Sequence, residues 1–152
     1  MKRLLLAALF ALCLVPLAVS PVFAADVMKR ISTGQLKAII SDAGYDVSVQ
    51  KEGVLKAQMN GITVLFFIAE NSESIQAYAG FKGGDSSLRN MNEWNKNKRF
   101  SRAYKDDEGD PVIELDLDFE GGITEGRVTN FLATVALSVK VFRDHIYGSS
   151  DK

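Results

Sequence analysis

One histidine, one acidic loop and one row of carboxylates are the groups in this sequence that could do chemistry. The single histidine, His145, has neither the cysteines nor a second histidine that a zinc site requires. No nucleophile-elbow sequence accompanies it as a serine partner. Near the end of the last predicted helix, a cationic ring would interact favourably with the free carbonyl groups. We therefore interpret His145 as a helix-end side chain rather than as a ligand or a general base.

The acidic loop runs from Asp106 to Asp110 and is compatible in composition with calcium binding. If Gly109 were the sixth residue of an EF-hand loop, the first would be Tyr104 and the twelfth Leu115. Neither can supply the carboxylate that those positions need. The loop therefore predicts a solvent-exposed hairpin turn closed by Gly109 and Pro111.

Four carboxylates alternate with apolar residues along the strand that follows this loop: Glu114, Asp116, Asp118 and Glu120. Neighbours on one strand face lie about 7 Å apart, so the row could supply paired carboxylates for glycoside hydrolysis. We expect all four to be exposed, however, and without burial nothing raises one pKa for general-acid work. A hydrolase is the least favoured function, and we predict no catalytic residue, no metal and no cofactor.

Basic residues precede that acidic strand, and a tryptophan precedes them. Antiparallel pairing can place Arg102 across from an acidic side chain, which predicts a cross-strand ion pair. Trp94 follows Leu88 and Met91 at helical spacing, which favours a core position over an exposed binding platform.

The first residues have the pattern of an export signal. Lys2 and Arg3 precede an apolar run, and Val22 and Ala24 occupy the −3 and −1 places of a signal-peptidase site. The run is too short for a permanent span, and Leu12 before Cys13 is unsuited to lipidation. We predict a cleaved signal peptide (1–24), a lead-in (25–31), one domain (32–148), a disordered tail (149–152) and a periplasmic location.

The composition of the remaining 128 residues excludes several classes of protein. They are enough for one domain with a core and too few for two. Removing Lys2 and Arg3 leaves 16 basic against 19 acidic residues, which argues against nucleic-acid binding. Cys13 is the only cysteine, so the mature fold cannot depend on a disulfide.

Apolar periodicity predicts three helices separated by strands. A capping box, Ser32 and Gln35, opens the first helix, and a short one surrounds Trp94. Thr124 caps the last, which ends at Gly148. Period-two segments predict strands at 45–50, 55–59, 62–69, 75–81, 100–105 and 112–119. The order α-ββββ-α-ββ-α predicts an α+β fold, an antiparallel sheet with helices mainly on one face.

The second half of the chain carries a set of short motifs from Asn92 to Ile123. They are Asn92-Glu93-Trp94-Asn95, Arg99-Phe100, Tyr104, Gly109-Asp110-Pro111, Glu114-Leu115-Asp116-Leu117 and Gly121-Gly122-Ile123. With these motifs the chain resembles the YbjN-domain family over about 32–146. The resemblance implies a fold similar to type III secretion chaperones, which are dimers that bind extended client segments, and a regulatory role in sensory transduction. It implies no catalytic or ligand residues.

One set of apolar residues is a candidate partner surface. If alternate residues of strand 62–69 face the helices, Leu65 and Phe67 turn to the opposite face together with Tyr78. Such a patch is typical of an association surface, with homodimerisation a common use. The alternative is ordinary core: so apolar a strand is typical of coverage on both faces, by loops or by the lead-in.

We therefore favour a non-enzymatic, chaperone-like or regulatory module that binds a protein or peptide partner outside the cytoplasm. The alternative is a small-ligand or ion-sensing domain in envelope signalling. A peptide binder needs an open apolar patch or a strand edge. A sensor needs an enclosed pocket with converging polar groups.

Overall fold

The computed structural model describes residues 26–148. The predicted signal peptide, Cys13 and the tail 149–152 lie outside the described residues. Three helices and eight strands occupy this part of the chain: β1 (Val27–Met28), α1 (Thr33–Asp42), β2 (Asp46–Lys51), β3 (Val54–Met59), β4 (Ile62–Ile68), β5 (Ser74–Gly80), α2 (Leu88–Asn97), β6 (Arg102–Lys105), β7 (Pro111–Asp118), β8 (Ile123–Thr124) and α3 (Glu125–Tyr147).

Six of the strands form one antiparallel sheet in the order β2-β3-β4-β5-β7-β6. The predicted α+β class and the order of its main elements are confirmed. The sequence did not predict β1 and β8, which are two residues each and pair only with one another. Strands this short carry too few residues for a period of two to be visible.

The ends of the helices follow the local chemistry of their caps. The Ser32 hydroxyl accepts a hydrogen bond from the Gln35 amide, while the Gln35 side chain accepts one from the Ser32 amide, which completes the predicted capping box. The Thr124 hydroxyl caps α3 by accepting a hydrogen bond from the Arg127 amide, and Gly148 ends that helix with a φ of 78°. These predicted boundaries are confirmed.

The β3–β4 hairpin turns at Asn60 and Gly61, whose φ angles are 53° and 73°. Two positive φ angles are what a two-residue turn of this class requires. The turn fixes the register between β3 and β4, and the register decides which residues of β4 face the helices.

The core lies between the helices and one face of the sheet. Val64 and Phe66 of β4 and Leu115 of β7 point into it and are buried. Trp94 is 2% exposed and packs edge-on against Phe142 of α3 with 5.0 Å between ring centroids, so its predicted core position is confirmed. None of the helices within residues 26–148 combines the length and hydrophobicity needed to cross a bilayer.

The segment predicted as a lead-in is an integral part of this fold from Val27 onward. Val27 and Met28 pair with β8, and the Ile31 side chain is buried. Gly122, with a φ of 90°, lies so close to Val27 that a Cβ atom would collide with it. The segment therefore closes one end of the domain.

Candidate interaction surface

The register of β4 and β5 brings the three predicted partner-binding residues together. Leu65 lies directly opposite Tyr78, and the rings of Phe67 and Tyr78 meet edge to face at 6.4 Å. All three side chains are partly exposed. We call these residues, Leu65, Phe67 and Tyr78, the central patch.

The central patch lies on the sheet face that points away from the helices. In β4 the residues on the helix side, Val64 and Phe66, have no exposed surface. The alternate residues Leu65 and Phe67 are partly exposed. Of the lead-in, Val27 and Met28 pair with β8 rather than crossing the patch. Within residues 26–148 the outer face of this strand is therefore covered only in part.

Tyr78 also forms one wall of a shallow cleft beside the patch. Its ring lies over Gly80, and a Cβ atom on that glycine would come within 3.1 Å of the phenol oxygen. The absence of a side chain at Gly80 thus leaves room for the Tyr78 ring. The cleft has a volume of about 290 Å³ and is lined by Thr63, Leu65, Tyr78, Gly80, Phe81, Lys82, Asp106 and Asp110.

A buried carboxylate lies next to the patch, on the same face. Glu114 is directly opposite Tyr78 on one side and Arg102 on the other, and is only 6% exposed. The Tyr104 hydroxyl donates to its Oε1 at 2.8 Å, and the Arg102 guanidinium pairs with its Oε2 and stacks over the Tyr104 ring. The carboxylate is thus held by two partners, as a buried charge requires.

The cross-strand ion pair predicted for Arg102 is confirmed, but the predicted exposure of Glu114 is wrong. Asp116, Asp118 and Glu120 are exposed as expected. Glu114 differs because Tyr78 and Arg102 lie directly opposite it on the neighbouring strands and Tyr104 hydrogen-bonds to it. The sequence carried only part of the signal for this cluster: the alternation of Arg102 and Tyr104 places both on one strand face but does not specify which strands lie beside Glu114.

Both tyrosines of this face hold their protons tightly. Burial, and then the hydrogen bond to Glu114, raise the pKa of Tyr104 to about 12. Burial and the nearby carboxylates of Asp106 and Glu114 also raise the pKa of Tyr78. Both phenols are therefore neutral hydrogen-bond donors at physiological pH, and neither can act as a base there.

The acidic loop forms the hairpin turn between β6 and β7, as predicted. Asp106 Oδ1 accepts a hydrogen bond from the Asp110 amide at 2.7 Å, and Gly109 has a φ of 90°. The Lys82 ammonium lies 2.5 Å from the Asp110 carboxylate. The hydrogen bond between them raises the pKa of Lys82 and lowers the pKa of Asp110. Within residues 26–148, no group of three or more histidine, cysteine or acidic side chains could hold a metal ion.

His145 lies on the other side of the domain, between α3 and α2. Its Nε2 is 3.2 Å from the Asn90 carbonyl oxygen, and its ring packs at 5.4 Å from that of Trp94. The half-buried ring thus joins two helices and is separate from the central patch.

Comparison with known families agrees with this architecture. Residues 32–147 match the model of the YbjN family, described as “Putative bacterial sensory transduction regulator”. The chain belongs to the YbjN family. That description places it among regulator-like domains.

A solved structure has the same fold. It is described as “Crystal structure of YbjN, a putative transcription regulator from E. coli”. The two chains share 16% identity with a TM-score of 0.55, over 66% of this chain and 80% of the other. At this identity the likeness establishes the YbjN fold alone. No curated protein matches the sequence.

Proposed function

We propose that this YbjN-family chain is exported and that its mature part binds a protein or peptide partner through the central patch, in a chaperone-like or regulatory role. The observation that carries the proposal is the partial exposure of Leu65, Phe67 and Tyr78 together on a sheet face that is otherwise largely polar. Contiguous apolar surface of this kind is typical of association sites in soluble domains.

The surroundings of the patch favour a protein surface as its partner. Lys56 lies opposite Leu65 on β3, whereas Glu114 and Asp116 lie on β7 beyond Tyr78 and Gln76. An apolar centre with charged and hydrogen-bonding groups at its rim is the usual arrangement of a protein interface. A second copy of the chain would satisfy it, because a two-fold axis along the strands places each Lys56 above the acidic strand of the other copy.

The proposal of export rests on the first 24 residues of the sequence. Two basic residues, an apolar run with Pro16 and the small residues Val22 and Ala24 together are typical of a cleaved signal. Mass analysis of the protein recovered from the periplasm tests this. A mature chain beginning at Ala25 is expected, and an intact Met1 in the membrane fraction would contradict export.

Affinity capture with matched variants tests the binding function. Wild type, Leu65→Ser/Phe67→Ser and Leu137→Ser are each immobilised and exposed to periplasmic extract. Leu137 is 63% exposed on α3 and controls for the loss of an apolar side chain elsewhere. A partner retained by wild type and Leu137→Ser but lost by the double variant is expected. Equal capture by all three would exclude the patch.

A further inference from the structure

Strand β7 extends beyond its neighbour at the edge of the sheet. On one side β5 pairs with β7 as far as Asp118, but on the other side β6 pairs only as far as Glu114. From Leu115 to Asp118, therefore, no strand lies on the outer side of β7 among the described residues. We call this stretch, 115–118, the open edge.

Three backbone hydrogen bonds establish which groups point toward the open edge. The Phe119 amide donates to Glu73 and the Pro111 carbonyl accepts from Phe81, so odd-numbered residues of β7 direct their backbone groups toward β5. The Asp110 carbonyl accepts from Asp106 on the opposite side. Because successive residues alternate, the amide and carbonyl groups of Asp116 and Asp118 point outward. Within residues 26–148 they have no backbone partner.

The segment that leads into β6 diverges from β7 at Phe100, just before β6 begins. Phe100 has a φ of 64°, which is unusual for an aromatic residue and turns the backbone away from the ladder. Its side chain is 79% exposed. Beneath it lies a cavity of about 150 Å³ between the sheet and α3, lined in part by Leu115 and Phe131. The rest of its lining is polar and includes Asp116 and Arg127. A partly apolar cavity thus lies directly beside two residues with unpaired backbone groups.

We propose that the open edge binds an extended peptide segment in which basic and apolar residues alternate, as an added strand next to β7. Outward-facing amides and carbonyls are satisfied by an extended backbone in this mode of recognition. Alternate side chains of the added strand then point to opposite faces. One set enters the cavity by Phe100 and Phe131, and the other lies beside the carboxylates of Asp116 and Asp118.

The charges select this occupant over a second copy of the chain. Pairing two open edges around a two-fold axis would bring the Asp116 and Asp118 carboxylates of both copies together, and like charges on paired strands are destabilising. These carboxylates are only partly engaged inside the domain, with the Gln76 amide and the Glu120 backbone amide as donors. Lysine or arginine side chains on an added strand would complement them.

The other edge of the sheet is less suited to strand addition. The pairing of β2 with β3 shifts register between Val49 and Lys51, and such irregularities twist an edge strand away from regular pairing. No corresponding shift interrupts the pairing of β7 with β5.

The test measures binding of a fluorescent seven-residue peptide to residues 25–152 of the protein. Lysine alternates with valine in this peptide. Asp116→Pro removes an amide that faces the open edge and leaves the β5 ladder intact, and Asp116→Asn removes only the charge. We expect the peptide to bind wild type. Asp116→Asn should weaken binding several-fold. Asp116→Pro should weaken binding about tenfold further, which is the effect of one lost hydrogen bond. Phe100→Gly, which suits the positive φ, should also weaken binding several-fold.

A second peptide separates strand addition from simple charge attraction. It has the same side chains but carries N-methyl groups on the amides of one edge, which removes hydrogen-bond donors while keeping the charge. Loss of binding with this peptide is expected. Equal binding of both peptides, undiminished binding to Asp116→Pro, or no binding of either peptide would overturn the proposal. So would loss of binding in Leu65→Ser/Phe67→Ser, since the central patch is a separate surface.

Discussion

The two faces of the six-stranded sheet differ in their residues and in what covers them, although strand β4 presents large apolar side chains to both. Phe66 and Phe67 are adjacent in β4, yet Phe66 is fully buried under the helices while Phe67 remains partly exposed beside Tyr78. The helix side is closed mainly by apolar packing. The opposite side combines the central patch with the hydrogen-bonded cluster around Glu114. Stability is therefore expected to depend mainly on one face and association on the other.

Truncating the two phenylalanines in turn should give the largest difference between the faces. Phe66→Ala should lower the free energy of unfolding by about 3–5 kcal/mol, because it leaves a cavity in the packed core. Phe67→Ala should lower it by only about 1–2 kcal/mol, since a partly exposed ring loses less buried surface. Denaturant unfolding of both variants measures the two losses. Equal losses would mean that both faces are core.

Removing the partner of the buried carboxylate should give the next largest effect. Arg102→Met leaves Glu114 with Tyr104 as its remaining hydrogen-bond donor and should cost about 1–2 kcal/mol. The guanidinium is largely exposed, which keeps the cost below that of a fully buried pair. Lys105→Met, on the same strand, is the control and should cost little. Denaturant unfolding that finds the two variants equally stable would show that the cluster adds nothing to this face.

Alkaline pH should weaken the same cluster. The pKa of Tyr104 is about 12 in the folded protein against an ordinary 10, so the unfolded chain releases this proton first. The resulting stabilisation is complete below pH 10 and is lost as pH rises toward 12. Thermal melts of wild type and Tyr104→Phe between pH 8 and 11.5 should therefore converge at the alkaline end. A constant difference in melting temperature would contradict the raised pKa.

The loop between β6 and β7 should give the smallest effect. Asp107 and Glu108 are exposed, so Asp107→Asn/Glu108→Gln should leave stability nearly unchanged. Added calcium should not raise the melting temperature of wild type, because ligand binding to the folded state would stabilise it. A calcium-dependent rise that the double substitution abolishes would assign a cation site to the loop.

Local patterns in the sequence predicted most of the fold. Ser32 with Gln35, Thr124 and the Asn60-Gly61 turn act through nearby backbone groups, so their structures follow from adjacent residues alone. β1 and β8 depend on a contact between residues almost a hundred positions apart. No periodicity within either strand indicates that contact.

The interaction surface could be predicted only in part, for the same reason. Alternation in β4 correctly placed Leu65 and Phe67 on the face opposite the helices, because side-chain direction is a local property of a strand. The burial of Glu114 depends instead on Tyr78 and Arg102, which reach it from two different strands. The open edge likewise depends on where β6 begins relative to the end of β7. Such features follow from the sheet order, which a single sequence does not specify.

The partly exposed sheet face is expected to serve association and to be dispensable for folding. The direct test compares Leu65→Ser/Phe67→Ser with wild type in two measurements. Denaturant unfolding measures the stability of each protein. Sedimentation measures self-association and binding of the captured partner. We expect a cooperatively folded variant that sediments as a monomer and no longer binds the partner. An unfolded variant, or a folded one with unchanged mass and unchanged partner binding, would contradict it.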